Sequence, residues 1–159
     1  MKSKNMRFLT AALMWAILVF LDQYTKYLAA VFLKPVGAVT LIPNTLQLRY
    51  LENRGAAFGI LQNRQWLFII FAFACIIVCA VLCFHLAALD RHAASRVCLA
   101  ALAAGAAGNL IDRISHGYVI DFIYVSLIHF PIFNLADVYV SLSTIALVLL
   151  VLFYYKDEF

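Results

Sequence analysis

Between Trp66 and Leu89 only one polar side chain, His85, interrupts an otherwise apolar run. Coiled as a helix rising ~1.5 Å per residue, such a run matches the ~30 Å hydrocarbon core of a bilayer. The chain has comparable stretches elsewhere, and it reads as segments over about residues 6–30, 66–89, 94–113 and 134–155. Hydrophobic residues make up 66% of the sequence and charged residues 13%. A soluble domain is roughly half apolar and a quarter charged. A soluble fold of 159 residues cannot bury so much apolar surface, so lipid is the natural solvent. The expected class is an all-α membrane protein of four transmembrane helices, with residues 1–159 forming a single membrane-embedded domain.

The first segment opens with Lys2, Lys4 and Arg7, which resembles a signal peptide. However, Asp22, Gln23 and Lys26 follow the apolar core with no small-x-small pair, and apolar sequence then resumes to Leu33. A retained spanning helix is therefore expected. The third segment is rich in Ala and Gly, and a face with Ala101, Gly105 and Gly108 admits a neighbouring backbone closely. That places it at the centre of the bundle. Lys and Arg divide evenly between the two sides of this topology, six against six. The cluster before the first segment decides the orientation, with both termini cytoplasmic.

The segment over about 34–65 then lies outside. Val39 to Ile42, Pro43-Asn44 and Leu46 to Leu51 read as strand, turn and strand, with Leu46, Leu48 and Tyr50 alternating with polar residues,. Tyr118 to Val125 is a further strand candidate. A small extracytoplasmic sheet is expected. The net charge of +4 is scattered at segment ends, without the basic stripe of a nucleic-acid binder. Cys75, Cys79 and Cys83 recur every four residues, which makes one packing face of a helix. The four histidines have no ligand spacing, and neither a metal nor a cofactor is expected.

Sorting the eight acidic residues isolates two. Asp90, Asp157 and Glu158 fall on the cytoplasmic side. Asp22 has Lys26 one helical turn on, Glu52 lies among Arg49 and Arg54, and Asp112 adjoins Arg113. Asp121 and Asp137 remain without a cation near in sequence, both at the outer membrane boundary. Asp137 follows Asn134, an N-cap candidate, and alone reads as a helix-start charge. Asp121 in an apolar strand has no such account. Two unpaired acids on one face suggest a dyad sharing a proton. Asn109 and Arg113 share a face of the third segment, and Asn53 precedes a turn at Gly55. A proton relay in a small transporter, or polar glue in an assembly subunit, are the other readings of these residues.

The blocks Asp22-Gln23-Tyr24-Thr25-Lys26, Asn53-Arg54-Gly55-Ala56-Ala57-Phe58, Gly108-Asn109-Leu110-Ile111-Asp112-Arg113, Val119-Ile120-Asp121-Phe122 and Phe133-Asn134-Leu135-Ala136-Asp137 occur in that order. In them the whole chain resembles bacterial lipoprotein signal peptidase, or signal peptidase II. The resemblance implies an intramembrane aspartic endopeptidase of the bacterial cytoplasmic membrane. It implies four transmembrane helices with an outer β-cradle, and cleavage of prolipoproteins just before a diacylglyceryl-modified cysteine. The catalytic pair it implies is Asp121 and Asp137. Asp22, Lys26, Asn53, Gly55, Asn109, Asp112, Arg113 and Asn134 are its supporting or substrate-binding residues. The partners it implies are the lipidated substrate and membrane lipids, with the enzyme a monomer and no nucleic acid. Val138 and Ser143 stand where family members often carry Ser and Gly. The stretch from Asn53 to Phe58, with Gly55 and Gly59 to bend, is a lid candidate.

Overall fold

The computed structural model describes residues 2–55 and 64–156. Helix α1 spans Lys2–Leu28 and continues as a wider turn over Ala29–Leu33. Strands β1 (Ala38–Ile42) and β2 (Leu46–Asn53) follow, then α2 (Gln65–Leu86), α3 (Ala93–His116) and β3 (Val119–Val125). Helix α4 (Leu135–Leu149) is prolonged by a wider turn over Leu150–Tyr154. Among the described residues, four helices are long and apolar enough to cross a membrane. The expected elements are present, with shifted ends. The first helix, with its wider turn, reaches Leu33, α2 stops near Ala87, and α3 runs one turn further, to His116.

Helix α3 is the middle of the bundle. In its spanning stretch 56% of residues are buried, against 11% in each of the other three. Its small side chains explain this. A Cβ at Gly105 would meet the carbonyl oxygen of Ala136 and lie 2.7 Å from Val140 Cγ2. At Gly108 it would meet the Asp22 carboxylate, with Cγ 2.9 Å away. The close approach of α3 to α1 and α4 thus needs glycine at both positions. Ala101 is only half-buried, and Ala100, Ala103, Ala104 and Ala107 complete the buried face. Cys79 and Cys83 pack against Leu99 and Ala103.

Gly117 ends α3 in the left-handed region at φ 74°, its N–H donating to the Arg113 carbonyl at 3.1 Å. Gly tolerates this conformation without a Cβ clash. The turn sends the chain directly into β3. The three strands form an antiparallel sheet in the order β1-β2-β3, with Leu51 opposite Asp121 and Asn53 opposite Val119. Val119 to Phe122 are buried, and Ile120 and Phe122 pack on Ala29 and Leu33 of the α1 extension. The sheet is thereby fixed to the end of the bundle, and Asp121 with it.

Candidate active site

Four carboxylates at this end, Asp22, Asp112, Asp121 and Asp137, belong to one hydrogen-bonded network. Lys26 is 1% exposed. Its Nζ lies 2.9 Å from Asp22 Oδ2 and 3.0 Å from Asp112 Oδ2. Asp22 also accepts the Ala136 N–H at 2.9 Å, which ties α1 to the start of α4. Asp112 accepts the Ile120 N–H at 3.0 Å, which ties α3 to β3. A buried cation held between two anions, each further hydrogen-bonded, meets the conditions for a tolerable buried ion cluster. The partner of Asp112 is thus Lys26 rather than the adjacent Arg113, because neighbouring helical positions do not face each other. Glu52 likewise pairs with Lys34 at 2.8 Å rather than with Arg49 or Arg54.

Asp121 and Asp137 are held differently, by amides. Asp121, 1% exposed, accepts Asn53 Nδ2 at 2.8 Å and Asn134 Nδ2 at 2.7 Å, one on each oxygen. Asp137 accepts Asn109 Nδ2 at 2.8 Å on Oδ1 and the Asn134 N–H at 3.1 Å on Oδ2. Asn134 caps α4 and forms a reciprocal capping box with Asp137, so the helix-start reading of Asp137 holds alongside its place in the site. Asn53 also turns the chain, its Oδ1 accepting the Gly55 N–H at 3.0 Å. Burial, and next the nearby charge of Asp137, push the Asp121 carboxyl up to about 7, against the hydrogen bonds from Asn53 and Asn134,.

Asp121, Asp137, Asn53, Gly55, Asn109 and Arg113 line one cavity of about 320 Å3. Arg113 donates to the Asn109 carbonyl at 3.2 Å and lies 4.8 Å from the centre of the Phe68 ring. Among the described residues its buried Nε has no hydrogen-bond partner. The remaining wall is Phe68, Val119, Val140, Ser141 and the loop from Phe130 to Phe133. Gln23 and Ser141 also stand at the site, beyond the residues expected there. Gln23 Nε2 bridges the Gly108 carbonyl at 3.1 Å and Asp112 Oδ1 at 3.0 Å. Its signal was a second polar residue beside Asp22 in an apolar helix. Ser141 stands one turn after Asp137 on the same face of α4. The lid candidate over 53–58, with Gly59, lies mostly outside the described residues. Among the described residues, no three His, Cys, Asp or Glu side chains gather as a metal-ligand set.

A model of the family described as Signal peptidase (SPase) II matches residues 14–153. The chain belongs to this family. Among its relatives, the lipoprotein signal peptidase of Caldanaerobacter subterraneus subsp. tengcongensis is 44% identical over 87% of this chain and 92% of its own. That of Clostridioides difficile is 39% identical, over 87% and 91%. The fold is similar to a solved bacterial membrane enzyme structure at TM-score 0.80 and 31% identity, covering 94% of this chain and 90% of that one. A second such structure gives 0.77 and 32%, over 91% and 93%. Family membership makes the chain a peptidase, and its four apolar helices make it a multi-pass bacterial membrane protein.

Proposed function

We propose that this protein is an aspartic endopeptidase that removes the signal peptide from prolipoproteins, cutting just before the diacylglyceryl-modified cysteine. Asp121 and Asp137 are its catalytic pair. The observation that carries this reading is the contrast between the two sets of carboxylates. Asp22 and Asp112 share Lys26 as their counter-charge, whereas Asp121 and Asp137 face one cavity and, among the described residues, are hydrogen-bonded by amide and backbone donors. Two acids so placed keep their proton chemistry available. The names of the relatives supply the class of substrate.

In this mechanism Asp121 carries the shared proton, and Asp137 is the ionised partner. Asp137 takes a proton from a water in the cavity, and the water oxygen attacks the scissile carbonyl carbon. Asp121 hydrogen-bonds the carbonyl oxygen as it gains charge. The tetrahedral intermediate then collapses, the C–N bond breaks, and the leaving amine takes the proton held by Asp137. Arg113 and Asn53 bind peptide carbonyls along the cavity. Phe68, Val140 and Phe130 hold the apolar residues before the cysteine. The acyl chains stay in lipid, which sets the depth of the cysteine. The whole chain acts as one membrane-embedded monomeric unit in the cytoplasmic membrane, with its termini in the cytoplasm and the site at the extracytoplasmic face.

The test is turnover of a diacylglyceryl-cysteine peptide by the purified full-length protein. Asp121→Asn and Asp137→Asn should each lower kcat by more than about 10³-fold while still binding the peptide. The double variant should be no worse than either single one, because the pair acts as a unit. Substantial cleavage by either variant, or inactivity explained wholly by unfolding, would sink the assignment.

A further inference from the structure

The Lys26 ammonium makes three contacts, and two of them already neutralise it. The third goes to a neutral amide, with Lys26 Nζ donating to Asn109 Oδ1 at 2.9 Å. Asn109 stands between the buried ion cluster and the cavity, and its other end donates to Asp137 at 2.8 Å. We infer that Lys26 is a positioning residue for the reaction. It fixes the orientation of the Asn109 carboxamide, and through it the hydrogen bond that aims Asp137 into the cavity. This rests on the reading of Asp121 and Asp137 as the catalytic pair.

A carboxamide has one accepting end and one donating end, and a half-turn exchanges them. An ammonium has only donors, so the oxygen of Asn109 must face Lys26. A second donor, Asn134 Nδ2, faces the same oxygen at 3.1 Å. The Asn109 NH2 is therefore committed to the opposite side, where Asp137 Oδ1 receives it. The exchanged orientation would set an NH2 against two donors and a carbonyl oxygen against a carboxylate. Both ends would be repulsive in a buried setting, where unpaired polar groups are costly. Hydrogen bonds to charged groups are the strong ones, and this one bears on the partner that must take a proton from water. With the Asn134 N–H on Oδ2, two donors then hold Asp137 in place. Lys26 itself is not among the residues lining the cavity; its hydrogen-bonded path to Asp137 runs through Asn109, and it bears on Asp121 only as a nearby charge.

Removing Lys26 alone would leave two buried carboxylates without a counter-charge. The informative variant is Asp22→Asn with Lys26→Met and Asp112→Asn, which removes all three charges together. It should lower kcat about 10- to 100-fold per folded enzyme, with KM within about threefold, since loss of one such hydrogen bond is on that scale. Lys26→Arg keeps a donor for Asn109 and should hold kcat within about threefold of wild type even if its Tm falls. Asn109→Asp satisfies Lys26 but has no N–H for Asp137, and should lose at least as much kcat as the neutral triple variant. It carries the test if the triple variant does not fold. A folded triple variant with wild-type kcat would overturn the inference. So would a loss of kcat that simply follows Tm across the three variants. Asp121→Asn and Asp137→Asn are run in the same assay. If they cleave, the catalytic pair is wrong; if they are dead while the triple variant runs at wild-type rate, only the role of Lys26 is wrong.

Discussion

Asn134 and Asp137 hold each other. The Asp137 N–H donates to Asn134 Oδ1 at 3.0 Å, and the Asn134 N–H donates to Asp137 Oδ2 at 3.1 Å. The helix start is thus also the frame of the site, since Asn134 Nδ2 reaches Asp121. Cap and site contributions are separable. Asn134→Ala should cost about 1 kcal/mol of stability for the lost cap and more than about tenfold in kcat. Asn134→Ser restores a cap but offers no Nδ2 to Asp121. Its Tm should recover while its activity stays low, measured by thermal unfolding and lipopeptide turnover side by side.

The Asp121 carboxyl, raised to about 7, sets a pH dependence. In the proposed mechanism Asp121 is the proton-carrying partner, and it loses its proton as pH rises through about 7, so kcat/KM should fall on the alkaline side. Stability follows the same group. Its folded value exceeds its ordinary value of 3.8, so ionisation opposes the folded state. Stability from this group is fully present below about pH 4 and declines as pH climbs through about 7. Asp121→Asn lacks this slope. The Tm of the variant minus that of wild type should increase between pH 4 and pH 8. A flat difference would place the proton elsewhere.

The two glycines of α3 should not tolerate a methyl group. Alanine ordinarily gains ~1 kcal/mol over glycine inside a helix. At Gly105 the new Cβ meets backbone of α4, which cannot swing aside, and overpacking of this kind costs about 1–3 kcal/mol. At Gly108 it meets the Asp22 carboxylate, itself held by Lys26 and the Ala136 N–H. Both variants should melt lower than wild type in detergent despite the better helix former. A rise in Tm for Gly105→Ala would contradict the close packing of α3 on α4.

Topology is open to labelling. Thr45 lies in the turn between β1 and β2, and Ala94 is exposed at the start of α3. With the four native cysteines replaced, single cysteines at these positions should react with a membrane-impermeant reagent from opposite sides. The Ala94 site should need permeabilised cells. Labelling of both from the same side would refute the crossing assigned to α2.

Apolar runs made the four helices legible, because span length and lipid impose one pattern on each. Asp121 and Asp137 stood out for a similar reason, as acids with no cation beside them in sequence. What sequence proximity concealed was which partner each remaining charge takes. Asp112 adjoins Arg113, yet its cation is Lys26 from α1. Glu52 sits among arginines, yet it bonds Lys34. Adjacency along a chain is not adjacency in a bundle, and long-range pairing follows from how close α3 comes to α1. The three asparagines were named through the family motifs, but the contacts they make were hidden. Asn residues are common at turns and caps, and nothing local marks Asn53, Asn109 and Asn134 as converging on two carboxylates.

The cluster of Asp22, Lys26 and Asp112 draws its members from two helices and its last donors from β3 and α4. Helix α1 alone would present Asp22 and Lys26 to lipid or interfacial water, and α3 alone would present an unneutralised Asp112. Each charge is satisfied only when the helices have met, so correct assembly is rewarded at this point and mispairing penalised. The network that supports Asp121 and Asp137 therefore does not exist in a half-inserted chain, and proteolytic competence arrives only with the completed bundle.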